Sequence, residues 1–140
     1  IFVSGALGGS ILGKHLRFTP RLKESQYLVK NFKINSMIDI SDGLAQDLHH
    51  ICASSGVGAM LCQHLIPLNK VARGLEDALY SGEDFELLFT LPPLEAKRLL
   101  KKAGRFFHPI GEVVAKRCGV RLVDQDHGLR LLPSKGFRHF

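Results

Sequence analysis

The feature that most constrains the fold is a strand-like segment followed at once by an amphipathic helix. Residues 37–40 are apolar except for Asp39, which is typical of a buried strand. From Asp42 onward, apolar residues recur at i, i+4 and i+7, and Gly56 suits the left-handed residue that ends many helices. These apolar positions are Leu44, Leu48 and Ile51. The pattern predicts a strand, a sharp corner and a helix.

The remaining sequence alternates strand-like and helix-like segments in the same way. Further helices are predicted at residues 6–16, 22–32, 75–80 and 92–103, and strands at 1–4, 57–62, 85–89, 110–114, 120–123 and 129–132. The last two strands are expected to form a hairpin. No internal repeat or low-complexity linker divides the chain. The sequence therefore predicts a single domain of the α/β (α+β) class.

Composition limits the classes of partner. The chain has 140 residues, 45% hydrophobic and 23% charged, which is ordinary for a soluble globular domain. The net charge of +6 favours anionic partners, but the basic residues are dispersed and lack interleaved aromatics, so nucleic acid is not expected. No apolar stretch approaches the roughly 18 residues that span a bilayer, so no membrane is expected and a cytoplasmic location is predicted. The cysteines Cys52, Cys62 and Cys118 lack the spacing of a disulfide framework or a zinc site.

A glycine-rich segment near the amino terminus resembles a phosphate-binding loop but departs from it. Residues 8–15 (GGSILGKH) place His15 where the loop needs a hydroxyl that can bind Mg²⁺. Gly5, Gly9 and Gly13 recur every four residues, which would put them on one face of a helix. The segment is therefore predicted to be a closely packed helix.

Residues 39–43, the DISDG motif, carry the clearest chemical signal. Asp39 and Ser41 are two residues apart and so share one face of a strand, while Asp42 stands at the start of the next helix. Two carboxylates and a hydroxyl at one corner are hard oxygen ligands, which suit Mg²⁺ and, through it, phosphate groups. In the other interpretation Asp42 only caps the helix and Asp39 is a solvated edge residue.

A second acidic group lies further along the chain. Glu83 and Asp84 precede a strongly apolar strand, and Glu86 lies within it on the side of Asp84. Clustered carboxylates at a strand end are typical of a polar pocket, although acidic turns are also common at protein surfaces.

Five segments, in their order and spacing, resemble the carboxy-terminal half of the thiamine-monophosphate kinases. They are residues 38–44, 55–59, 81–90, 110–113 and 136–140. The same superfamily contains AIR synthetase, selenophosphate synthetase and a hydrogenase maturation factor, but segments 82–90 and 136–140 favour the thiamine enzyme. The resemblance implies a layered α/β/α domain with a mixed sheet.

The resemblance also implies an activity and roles for particular residues. ATP would phosphorylate thiamine monophosphate to thiamine pyrophosphate, with Mg²⁺ holding the phosphates and no covalent intermediate. Asp39 and Asp42 would bind Mg²⁺ and Ser41 would contact ATP. Three residues would lie at the substrate: Glu83, Asp84 and Phe137, whose ring would stack on thiamine. No residue of this chain is assigned a role as catalytic acid, base or nucleophile.

The resemblance further implies that this chain is one half of a homodimeric enzyme. The chain opens on a strand-like apolar run, as if it continued a longer protein, and the family's amino-terminal ATP-binding domain is absent from it. The isolated chain is therefore expected to be inactive, because phosphoryl transfer needs positioning from both sides. Two alternatives remain: a non-catalytic module that binds a phosphorylated or thiamine-like ligand, and another ATP-dependent enzyme of the same superfamily.

Overall fold

Short apolar strands and amphipathic helices alternate along the chain, and the α/β class is confirmed. The computed structural model describes residues 1–10, 13, 16 and 18–136. The helices are α1 (Leu22–Asn31), α2 (Leu44–Ser55), α3 (Leu75–Tyr80) and α4 (Pro93–Ala103). The strands are β1 (Phe2–Val3), β2 (Ser36–Asp39), β3 (Val57–Cys62), β4 (Leu87–Thr90), β5 (His108–Pro109), β6 (Gly111–Ala115), β7 (Val120–Val123) and β8 (Leu129–Leu131).

These strands form two four-stranded sheets. The first has the order β2-β4-β1-β5, and all of its neighbouring strands are antiparallel. The second has the order β6-β3-β7-β8 and is mixed, because β3 and β7 run parallel while the outer pairs are antiparallel. The expected mixed sheet is thus one of two, and the predicted β7–β8 hairpin is present.

Two hydrophobic clusters cover the two faces of the first sheet. Phe89 of β4 packs on one face with residues of α1 and α4, such as Leu28 and Leu99. Leu88, on the opposite face of the same strand, packs against α2 and the second sheet, including Leu61. Both Leu88 and Phe89 have no exposed surface, so β4 is buried on both sides. Because β4 is buried on both sides, its first residue is held in place, and the acidic segment 82–86 comes directly before it.

The prediction of a glycine-rich helix at residues 6–16 is wrong for the part that the structure describes. Gly8 and Gly9 have φ angles of 84° and 87°, in the left-handed region that a right-handed helix excludes. Leu7 instead forms an isolated bridge with Leu68. Gly8 and Gly9 therefore permit a turning backbone rather than close helix packing, and residues 11, 12, 14 and 15 of that range lie outside the described residues.

Among the described residues, none of the helices is both long enough and apolar enough to cross a lipid bilayer.

Candidate active site

The DISDG motif forms the corner between β2 and α2. Asp39, the last residue of β2, is exposed, Ile40 is buried, and Ser41 and Asp42 are partly buried. Gly43 has a φ of 117°, and a Cβ there would lie 3.0 Å from the carbonyl oxygen of Leu79. The tight turn therefore depends on glycine.

The side chain that holds this corner is Asp47, which sequence reasoning missed. Its Oδ2 atom accepts hydrogen bonds from the backbone N–H groups of Ser41, Asp42 and Gly43, at 3.0, 3.1 and 3.1 Å. Helix α2 begins at Leu44, and its first turn contains Asp47. The interpretation of Asp42 as the helix cap is wrong, because Gly43, not Asp42, occupies the cap position before Leu44.

Asp47 is only 4% exposed. Burial raises the pKa of its carboxyl, since it disfavours the charged form, and the nearby negative charge of Asp42 also raises it; the three N–H donors act in the opposite direction. The corner thus contains a buried carboxyl group that is hydrogen-bonded to backbone N–H groups. Asp42, with a side chain 36% exposed, keeps its carboxylate available to solvent or to a ligand.

The second acidic segment lies directly against the corner. The Glu83 N–H donates to the Ser41 carbonyl at 2.7 Å, and the Phe85 N–H donates to the Ile40 carbonyl at 2.8 Å. In return, the Ile40 N–H donates to the Glu86 carbonyl at 2.7 Å. The structure therefore brings Glu83 and the DISDG motif together, although about 40 residues separate them in sequence.

The inward side chains of this segment bind protein groups. Asp84 is 1% exposed, and its Oδ1 atom accepts the Gly8 N–H at 2.8 Å. Glu86 is 4% exposed and accepts the Ser4 hydroxyl at 2.6 Å and two guanidinium N–H groups of Arg21, both at 2.8 Å. Asp84 thus lies behind the site and fixes the glycine-rich segment, while Glu83, which is partly buried, lies nearer the surface.

His50 is a further residue at the corner that the sequence did not single out. One ligand atom from each of Asp42, Asp47 and His50 lies within 4.8 Å of the others, and the His50 Nε2 is 4.0 Å from the Asp42 Oδ2. Residue 50 lies two turns along α2 from the corner, so helical spacing could have placed it on this side.

Phe137 lies outside the described residues. The residue before it, Gly136, packs against the corner: a Cβ there would be 2.6 Å from the Asp42 carbonyl oxygen. Two further contacts join the preceding segment to α2, from the His49 Nε2 to the Leu132 carbonyl and from the Ser134 hydroxyl to the Gln46 side chain, both at 2.8 Å. The last described residues of the chain therefore lie against α2 and the DISDG corner.

Comparisons of the sequence and of the structure with known proteins agree with one another. The family model for "AIR synthase related protein, C-terminal domain" matches residues 3–123. The thiamine-monophosphate kinase of Rhodopirellula baltica is 41% identical over 105 residues, covering 69% of this chain and 33% of that protein. The thiamine-monophosphate kinase of Escherichia coli K12 is 36% identical over 140 residues, covering 93% of this chain and 42% of that protein.

A solved structure with the same fold carries ligands. AaThiL complexed with AMPPCP and TMP superimposes with a TM-score of 0.77 at 28% sequence identity, covering 99% of this chain and 50% of that chain. The present chain therefore spans about a third to a half of the length of the proteins that it matches.

Proposed function

Since this chain belongs to the family of AIR synthase-related C-terminal domains, we propose that it forms one side of the active site of a thiamine-monophosphate kinase. The observation that carries the proposal is the Glu83-to-Ser41 hydrogen bond of 2.7 Å, which joins the acidic segment to the DISDG corner. The relatives named as thiamine-monophosphate kinases support this activity over a non-catalytic binding module or another enzyme of the superfamily. The AaThiL complex with AMPPCP and TMP supports ATP and thiamine monophosphate as the ligands.

The corner has the donor chemistry for a divalent cation. Asp39 is exposed and Asp42 partly exposed, so both can offer carboxylate oxygens, which Mg²⁺ prefers. Asp47 occupies the backbone N–H groups of Ser41, Asp42 and Gly43, so these three groups of the corner are not free to bind phosphate. Phosphate groups near these carboxylates would be repelled unless a cation lay between them.

In this proposal Asp39 and Asp42 hold Mg²⁺, and Ser41 contacts ATP. Bound Mg²⁺ would neutralise phosphate charge during transfer of the γ-phosphoryl group. Asp47 keeps the corner rigid, so that the two aspartates meet the metal in a fixed arrangement. Glu83 and Phe137 would contact thiamine monophosphate. Asp84, which we also assigned to the substrate, would act from behind by holding the glycine-rich segment.

The other side of the site would come from an amino-terminal ATP-binding domain. The proposal is supported by the small share of two relatives that the chain covers, 33% and 42% of their length, and we expect no turnover from the 140 residues alone. A homodimer and a cytoplasmic location for the complete enzyme stay predictions.

Replacing Asp42 with asparagine tests the metal role. In the protein that carries this chain together with the amino-terminal domain, we expect turnover to fall roughly 100-fold, because one hard anionic ligand is lost and the phosphate charge is less well neutralised. The Mg²⁺ concentration for half-maximal rate should rise. The measurement is ATP-dependent formation of thiamine pyrophosphate over a Mg²⁺ titration.

The matched control is Asp126→Asn, which removes an exposed carboxylate in the turn between β7 and β8. It should leave both the rate and the Mg²⁺ dependence unchanged. Since Asp42 does not cap α2, Asp42→Asn should also unfold at nearly the same urea concentration as the unmodified protein. Equal turnover and equal Mg²⁺ dependence for Asp42→Asn would contradict the metal role.

A further inference from the structure

Two aromatic rings, one of them two residues after Glu83, form a pair that is partly exposed at the surface. The ring centroids of Phe18 and Phe85 are 4.3 Å apart, with planes inclined by 31°. Phe18 is 43% exposed, and Phe85 is partly buried. An aromatic ring exposed next to a polar site is a surface on which another flat ring can stack.

The backbone that presents this pair is unusual. Gly82, Glu83 and Phe85 have φ angles of 68°, 54° and 52°, all in the left-handed region. A bulky residue such as phenylalanine rarely adopts this conformation, and such residues concentrate at binding and catalytic sites. If Phe85 served only to cover the core, ordinary extended backbone would place it at lower cost.

The surrounding structure fixes this conformation firmly. The N–H groups of Glu83 and Phe85 both donate to carbonyl oxygens of the corner. The alternate side chains, Asp84 and Glu86, are buried and bind protein groups, so Glu83 and Phe85 are left as the more accessible residues of the segment. The backbone of Glu83 and Phe85 is therefore held against Ser41 and Ile40.

We propose that Phe18 and Phe85 form an aromatic wall of the acceptor site, which selects a flat, positively charged ring such as the thiazolium of thiamine. This inference rests on the proposed function. A positive ring is attracted both to the face of an aromatic side chain and to the nearby Glu83 carboxylate. The wall would contribute to binding of the acceptor and not to binding of ATP.

The test is Phe18→Leu in the protein that carries this chain and the amino-terminal domain. We expect the KM for thiamine monophosphate to rise roughly fivefold, which is the size of a partly exposed cation–π contact. The KM for ATP and kcat at saturating acceptor should change by less than about twofold, because the wall does not contact ATP. Phe18→Tyr should keep the KM of the unmodified protein.

Phe85→Leu is the second variant, with a thermal unfolding curve to verify that it is folded. Phe106→Leu is the control, since Phe106 is a 60% exposed phenylalanine in the segment after α4. An unchanged KM for thiamine monophosphate in Phe18→Leu, in an active enzyme, would overturn the aromatic wall and leave the proposed function intact. If the unmodified protein does not phosphorylate thiamine monophosphate, the proposed function fails and this inference fails with it.

Discussion

Replacing Asp47 with alanine is expected to lower the free energy of unfolding by about 3 kcal/mol. The change removes the acceptor of three backbone N–H groups, of which that of Gly43 is buried and the other two are partly buried, and a buried donor left without a partner costs about 1–3 kcal/mol. Water entering the new space would satisfy part of the loss, so the sum stays below the full additive value. Urea unfolding at neutral pH measures the change.

Asp47→Asn separates hydrogen bonding from charge. Asparagine keeps one carbonyl oxygen for the same N–H groups and does not bury a charge, so its cost should be only about 1 kcal/mol. The exposed replacement Asp126→Ala should change stability by less than about 0.5 kcal/mol. If Asp47→Ala cost no more than Asp126→Ala, Asp47 could not be the residue that holds the corner.

Asp47 also shows why sequence reasoning identified the site but not its support. Asp42 follows a strand and precedes an apolar helical pattern, which is the usual position of a capping residue. The helix begins two residues later, and the carboxylate that binds the N–H groups of the corner comes from inside its first turn. An acidic residue in the first turn that reaches back to the preceding N–H groups is a known arrangement. Asp47 could therefore have been identified from the sequence as the residue that binds these N–H groups, but Asp42 occupies the more usual position for that role.

Local pattern was reliable where burial on one face decides the structure. The predicted positions of β3 and α3 match the observed ones, and Gly56 ends α2 with a φ of 65°. Within a helix, the apolar pattern was less reliable in predicting which individual side chains are buried. The apolar pattern of residues 22–32 predicts that Leu28, Val29 and Phe32 face the core, yet Val29 is 63% exposed while Leu28 and Phe32 are buried in the cluster between α1 and the sheet.

Long-range pairing could not be inferred from the sequence. Strand β1 lies inside the first sheet and pairs Phe2 with Phe89, far along the chain. The alternation at residues 84–89 predicted a strand from residue 85, yet β4 begins at Leu87, because the preceding residues bend to bond with the DISDG corner. Tertiary hydrogen bonds there outweigh the local preference for extended backbone, and the segment that departs from the pattern is the one at the candidate site.

Arg21→Met is expected to lower the free energy of unfolding by about 2–3 kcal/mol. Breaking a buried ion pair typically costs about 3–5 kcal/mol, because it leaves a buried charge without its partner. Glu86 is 4% exposed and would retain the Ser4 hydroxyl as its side-chain partner. Arg21 has a side chain 31% exposed, so water can partly replace it and the loss is reduced. Lys97→Met, at an exposed lysine on α4, should change stability by less than about 0.5 kcal/mol.

A double-mutant cycle shows whether the loss of stability comes from the Glu86 charge that is left without its partner. Arg21→Met combined with Glu86→Gln removes both charges, so it should be more stable than Arg21→Met alone by about 1 kcal/mol or more. Additive losses would instead mean that the two side chains act independently. Coupling is expected because Glu86 joins two parts of the site: its side chain binds Arg21, just before α1, and its carbonyl accepts the Ile40 N–H at the corner. Breaking the Arg21–Glu86 ion pair should therefore make the position of Glu83 less fixed and also lower the stability of the fold.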